Sequence, residues 1–407
     1  MFNTTSKQQL LFLFASSFVI LVTGMGLFPV LPLYAANYGA TQEIIGWYYA
    51  VIYLSLAAGP LFVSRITRRV SRRAAFVATG LIGTPALFLL GQAGALWHVI
   101  LLTSLVWFSG GATLALISIL TGVHASGKGR GKSFGLMAVA SPLGALVGGL
   151  VVGRAIENYG YATLFTGMSM FWTLLPLIGL LFVRDAAGHT RPTAEAQDQA
   201  AHTGFDRRFI LMLGTTLMGA IGITFLRLGS PMMMKSMGFS AAALSSTATV
   251  SGLVAIPVTL AMGALSDRFG RSRSLIVVYA VAVAGSLVLS VSGQLAHFWI
   301  VSALTMIAFG ANGALVSALA TDLLPTGKLD SGLSWINSLN SSAGIVSFAS
   351  SGYLLGLVGP RSLYLLTALF PIIAISLLEL GQLTGGRLPA LSNIRLLHRK
   401  APVGETC

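Results

Sequence analysis

Apolar residues run along this chain in long blocks, separated by short clusters that carry nearly all of its charge. A helix rises ~1.5 Å per residue and the hydrocarbon core of a bilayer is ~30 Å thick, so roughly 20 apolar residues suffice to cross one. Twelve blocks reach that length: 10–34, 44–64, 74–93, 97–123, 133–156 and 161–183, then 209–234, 241–264, 274–293, 296–321, 331–358 and 362–383. Backbone polar groups inside hydrocarbon must be paired within their own segment, so each block is expected to be helical. Their many Gly, Ala and Ser residues suit close contact between helices. The first block exceeds the h-region of a signal peptide and is expected to stay as a helix. The predicted fold class is an all-α membrane protein with twelve transmembrane helices in two pseudo-symmetric six-helix bundles.

The longest polar stretch, 184–208, holds Gly188, Pro192 and alternating Ala, Glu, Gln and Asp, as a cytoplasmic linker does. It separates a bundle at 1–183 from one at 209–384, with a cytoplasmic tail at 385–407. The halves align at an offset of 200 residues, pairing Arg68 with Arg268, Arg73 with Arg273 and Gly110 with Gly310. Such a repeat places a pseudo-twofold axis along the membrane normal and a solute pathway between the halves, from which alternating access follows.

Composition agrees with a lipid solvent. The chain is 55% hydrophobic and 9% charged, with a mean hydropathy of +0.83, whereas soluble domains carry about 25% charged residues. Its net charge of +14 would suit a nucleic-acid partner if the cations formed one patch. They do not: of the 25 Lys and Arg, all but Arg154, Lys235, Arg361 and Arg227 fall on the side that holds both termini. That asymmetry predicts cytoplasmic termini in a multi-pass protein of the cytoplasmic (inner) membrane, and it accounts for the charge without nucleic acid. The single cysteine, Cys407, leaves no disulfide framework and no multi-cysteine metal site. No phosphate-binding loop has the required spacing, and no acid, base and nucleophile converge within the blocks, so neither ATP use nor enzymatic catalysis is expected. No cofactor or metal is expected; the partners are a small-molecule substrate, membrane lipid and, as a candidate coupling ion, the proton, with the chain acting as a monomer.

The sharpest motif follows the eighth block: Gly263, Leu265, Asp267, Arg268, Gly270 and Arg271 are spaced as G-x-L-x-D-R-x-G-R-x. It resembles the loop signature of the major facilitator superfamily. In the matching loop after the second block, Arg68, Arg72 and Arg73 are present, but Val63, Thr67 and Val70 stand where the pattern has Gly, Asp and Gly. The run from Gly24 through Phe28, Pro29 and Pro32 to Tyr34 is similar to the opening of the twelve-helix drug:proton antiporter branch, and Ser141, Pro142, Gly144, Gly148 and Gly149 to part of an exporter motif. The resemblance implies a secondary transporter that exports a small amphiphilic, neutral or anionic compound. It departs from proton-coupled members in lacking an Arg before Gly110 and an acid in the first block. Uptake of a sugar, metabolite or metal ion is the alternative, and a transport-inactive receptor or assembly partner is another.

Candidate binding residues are polar groups inside blocks. Arg227 is the Lys or Arg set furthest inside a block, Arg154 lying two residues from the outer end of its own, and placing a cation within a crossing costs at least ~2.5–3.5 kcal/mol. It is expected either to face the cavity or to snorkel to the outer interface, 19 residues beyond Arg208, with Glu43 as its acidic neighbour for an ion pair or coupling. Asn337, Asn340 and Ser341 form a polar stripe at helical spacing, and Asn312 lies in another inward-facing block; all four are assigned to the solute cavity. Met232, Met233, Met234 and Met237 suit packing better than Cu(I), because the next block lacks a partner His.

Overall fold

The computed structural model describes residues 6–67, 69–124, 130–183, 205–325 and 328–383. In the first half, α1 (Ser6–Leu27) and the short α2 (Leu31–Ala36) form one broken crossing. They precede α3 (Gln42–Ile66), α4 (Arg72–Leu90), α5 (Leu96–His124), α6 (Arg130–Trp172) and α7 (Leu174–Leu181). The second half runs α8 (Arg207–Ser236), α9 (Ala241–Phe269), α10 (Arg271–Ser290), α11 (Leu295–Leu323), α12 (Leu329–Thr367) and α13 (Leu369–Leu383). Pro29 lies in the break between α1 and α2, and Pro32 is the second residue of α2, where a missing N–H costs least at the start of the new helix.

Among the described residues ten helical stretches are long and apolar enough to cross a membrane, and two of them, of 49 and 53 residues, fold back on themselves. Within α6, Gly144 and Gly148 climb beside Leu21, Val22 and Gly26 of α1. Beyond Gly160, at φ 77°, the chain descends the same helix: Met168 meets Thr23, and Phe182 stacks on Phe12 at 3.9 Å. In α12, Gly332 and Ser347 climb beside Phe209 and Ile221. After Gly359, at φ 75°, Tyr364, Pro371 and Gly381 descend past Gly229, Gly222 and Leu211. Only glycine takes such a φ without steric cost, so two reversals are written into two residues. Each long stretch therefore crosses twice, and the crossings number twelve, as the hydropathy blocks predict.

The repeat is visible in the backbone. Gly39 and Gly238 turn at φ 81° and 76°. Thr41 and Ser240 then cap the next helices by accepting from Ile44 N and Ala243 N. His98 and His297 accept from Gly94 N and Gly293 N, both at 3.2 Å. These landmarks stand 199 residues apart, which corrects the offset of 200 by one at this end of the molecule. The end bearing Gly39, Gly160, Gly238 and Gly359 is called the far end below; the end bearing Arg72, Arg73, Arg271 and Arg273 is the basic end.

The bundles meet along two seams, α3 with α12 and α6 with α9. A Cβ on Gly352 would strike the backbone of Gln42 and Glu43, and one on Gly153 that of Ala241 and Ala242. These two contacts are equivalent under the repeat, and small residues at both permit the approach. All of them lie in the far half.

Candidate functional site

Arg227 on α8 does not reach outward to the interface. Its guanidinium lies between the bundles, 5.0 Å from the Phe28 ring, 5.8 Å from Tyr53 and 4.2 Å from Phe309, and it donates to the Tyr53 hydroxyl. Tyr53 and Phe309 sit near the midpoints of α3 and α11, so the charge is at the middle of the crossing. Each desolvated aromatic face contributes about 0.5–2 kcal/mol, which offsets part of the cost of a buried cation. Tyr49 and Phe348 back the cluster: Tyr49 meets Phe28 edge-on at 4.9 Å and donates to its carbonyl, and Phe348 meets Tyr53 at 4.6 Å.

Two cavities share Met25, Phe28 and Arg227. One, of about 560 Å³ including open space, is lined by α8, α9 and α11 together with α1 and α6, and adds Ser230, Thr305, Met306 and Phe309. The other, of about 590 Å³, lies mainly in the first half and adds Tyr53, Trp107 and Trp172. Their walls are mostly apolar, with a few polar groups converging near the cation, as small-molecule sites are built. Ser230 Oγ, Thr305 Oγ1 and Trp172 Nε1 are buried on these walls without a hydrogen-bond partner among the described residues.

Among the described residues no carboxylate reaches Arg227. The chain's eleven acids are Glu43, Glu157, Asp185, Glu195, Asp198, Asp206, Asp267, Asp322, Asp330, Glu379 and Glu405. Glu43 is exposed in the first turn of α3, ten residues or ~15 Å along the helix from Tyr53, so the expected Arg227–Glu43 pair is not formed. Glu379 is level with Leu211 and Gly214, which are 13 or more residues from Arg227 along α8.

The asparagines depart from expectation. Asn312 is 5% exposed, and its Oδ1 accepts from the Tyr279 hydroxyl at 3.0 Å, so it joins α11 to α10 instead of facing the cavity. Tyr279 reaches it across Gly219, where a side chain on α8 would block the ring. Asn340 donates to Ile336 O at 3.1 Å, one turn toward the basic end from Gly344, which touches Tyr53. Neither Asn337, Asn340 nor Ser341 lines the cavities around Arg227; the α12 residue that reaches the cluster is Phe348. Phe28, Tyr53 and Phe309 carry no sequence signal as apolar residues in apolar blocks. Ser230 had one, lying three residues after Arg227 on the same helix face.

The motif loops sit at the basic end. Gly270, at φ 90°, caps the end of α9 and the start of α10 and is the one residue between them. Arg271 Nη1 then lies 2.6 Å from Asp322 Oδ1 and donates to Ala318 O at the end of α11. In the first half Ser71, one residue beyond the Val70 that the motif sets against Gly270, holds the helix-cap position and caps Ala74 N at 3.1 Å, while Arg73 donates to Gly179 O at 3.3 Å at the end of α7. Arg72 opens α4 half-buried, and Arg268 is exposed beside the Phe269 ring at 5.8 Å. Gly263 and Asp267 fall in the last turns of α9 with side chains outside the described set, and Arg68 lies outside the described residues, as does 184–204 of the expected linker.

The Major Facilitator Superfamily sequence model matches residues 13–346 and 211–386. Multidrug resistance protein MdtG of Proteus mirabilis (strain HI4320) is 23% identical over 340 residues, covering 79% of this chain and 82% of that protein. MdtG of Enterobacter lignolyticus (strain SCF1) is 25% identical over 316 residues, covering 73% and 72%. Among solved structures, a variant of the nucleoside transporter NupG superimposes with a TM-score of 0.74 at 15% identity, over 92% of this chain and 99% of its own. A bacterial homolog of the human lysosomal transporter Spinster, inward-facing and unoccupied, gives 0.69 at 14% identity, over 94% and 98%. At these identities the structures speak for the fold alone.

Proposed function

The chain belongs to the Major Facilitator Superfamily, and from that premise we propose that it exports a small amphiphilic solute, neutral or anionic, by alternating access. The observation that carries the reading is a mid-membrane cavity built by both bundles around Arg227, with the seams packed closely on its far side. The positive-inside rule assigns the basic end and both termini to the cytoplasm of an inner-membrane protein. In that orientation the cavity is shut toward the outside. Asn337 and Ser338 are exposed on α12 between the cavity and the basic end, and a polar face there suits an aqueous approach from the cytoplasm. Export is the direction that the multidrug resistance relatives favour. We take the working unit to be one chain, and proton coupling is part of the proposal.

Flux in proteoliposomes tests it. A panel of amphiphilic compounds under imposed solute and pH gradients is expected to move, and cells making the protein are expected to accumulate less of the transported members. No flux for any compound under any gradient would overturn the reading, and greater accumulation would overturn its direction.

A further inference from the structure

The cavity holds a cation to which no described residue brings a counter-charge. Arg227 is at mid-crossing, ringed by Phe28, Tyr53 and Phe309, and the carboxylates with described side chains, Glu43, Glu157, Asp206, Asp322 and Glu379, are exposed near the ends of their helices. Beside it, two hydroxyls on the same wall, Ser230 Oγ and Thr305 Oγ1, are buried without partners among the described residues. Ser230 is 4% exposed and Thr305 7%, and leaving such groups unpaired is costly unless a ligand completes them. Each hydroxyl can donate as well as accept, and a guanidinium is donor-only, so a single acceptor with negative charge would complete all three. Around those donors the surface is apolar: Met25, Phe28, Met306 and Phe309.

We propose that this cavity is an oxyanion site and that the transported solute is an amphiphilic organic anion, a carboxylate, sulfonate or phosphonate on an apolar or aromatic body. This rests on the transporter reading given above. Arg227 takes the charged head, giving up its bond to Tyr53 as the head arrives; Ser230 and Thr305 donate to the remaining oxygens. The aromatic faces that now shield the guanidinium then hold the body of the solute. A cationic amphiphile is rejected by the same charge, because no carboxylate among the described lining residues receives it.

The test compares naphthoate, its neutral amide naphthamide and the cation naphthylmethylamine, which share one aromatic body. Binding is read by thermal shift and flux in proteoliposomes, on the full chain and on Arg227→Gln, Arg227→Lys and the pair Ser230→Ala with Thr305→Val. In the wild type, naphthoate is expected to bind at least about tenfold tighter than naphthamide, as charge-assisted hydrogen bonds allow, and the amine not at all. Arg227→Gln is expected to erase the preference while still binding naphthamide, which shows that the variant is folded; Arg227→Lys is expected to keep part of it. The hydroxyl pair is expected to narrow the preference by about threefold to tenfold. Equal binding of naphthoate and naphthamide by the wild type, or an unchanged preference in Arg227→Gln, would overturn the anion site while leaving transport of neutral solutes standing. Flux of the amine would overturn it as well. A wild type that binds and moves none of the three, and nothing in the wider panel, would remove the transporter reading and this site with it.

Discussion

Phe28 in the first half and Arg227 in the second stand 199 residues apart, the interval that separates Gly39 from Gly238 and Gly160 from Gly359, and their side chains meet at 5.0 Å. The two copies thus present equivalent positions to one another at the axis, one with a ring and the other with a charge. The turns, the caps and the seam glycines at 153 and 352 are alike in the two halves, because a change there disturbs backbone geometry. The central pair differs because one cation stacked on an aromatic face is tolerable in a dry site, whereas two arginines would repel.

The seams carry a second difference. Ser245 on α9 occupies the place that Gly46 holds on α3; it accepts from Gly153 N at 3.1 Å and donates to Gly149 O at 2.8 Å. Glu157 on α6 accepts from Ala242 N at 2.8 Å in the first turn of α9. Where α3 meets α12, Gly46 has no hydroxyl to offer and relies on packing against Phe348 and Gly352. One seam is latched by hydrogen bonds and the other is held by fit.

Breaking the fit has the largest expected effect. A Cβ on Gly149 would lie within contact of the backbone of Thr249 and Ser245, so Gly149→Leu forces the bundles apart at the far end. Overpacking of this kind costs about 1–3 kcal/mol, or roughly 5- to 150-fold in the far-closed population, and flux is expected to fall with it. Gly167→Leu, where nothing lies within 4 Å, is the control expected to keep its flux. Removing the latch is expected to do less. Glu157→Gln with Ser245→Ala removes two hydrogen bonds across the seam and weakens a third, together about 1–2 kcal/mol, and should raise labelling of a cysteine placed at the buried seam residue Ala241 roughly 5- to 30-fold. Unchanged labelling would mean that both seams are held by fit alone. Smallest is the basic end: Arg271 and Asp322 are 31% and 44% exposed, so Arg271→Ala should cost at most about 1 kcal/mol of stability, seen as a small drop in thermal midpoint.

Much of the fold was legible in the sequence, because hydropathy reports what lipid demands and the glycines at 160 and 359 sit where the apolar runs break. The site was legible only in part. Arg227 stood out as a charge in an apolar run, but counting from Arg208 gave its distance along α8 and not the level at which α3 and α11 meet it. Asn312 and Asn340 looked like cavity residues on spacing alone, yet Tyr279 and the Ile336 carbonyl satisfy them within the bundle. Spacing shows which face a side chain shares and says nothing of a partner arriving from a distant helix. The aromatic ring around Arg227 was hidden for the opposite reason, since Phe and Tyr are ordinary in a membrane helix until a cation is found among them.

Spin-label distances in a bilayer test the central claim most directly. One pair, Tyr159→Cys with Met237→Cys, spans the bundles at the far end, and another, Val70→Cys with Phe269→Cys, spans them at the basic end, both in a Cys407→Ser background. The far-end pair is expected to show a short distance as the main population and a longer one as the minor. Across solute and pH conditions the basic-end pair should shorten as the far-end pair lengthens. Fixed distances at both ends under every condition, or both ends opening together, would contradict alternating access about a cavity at Arg227.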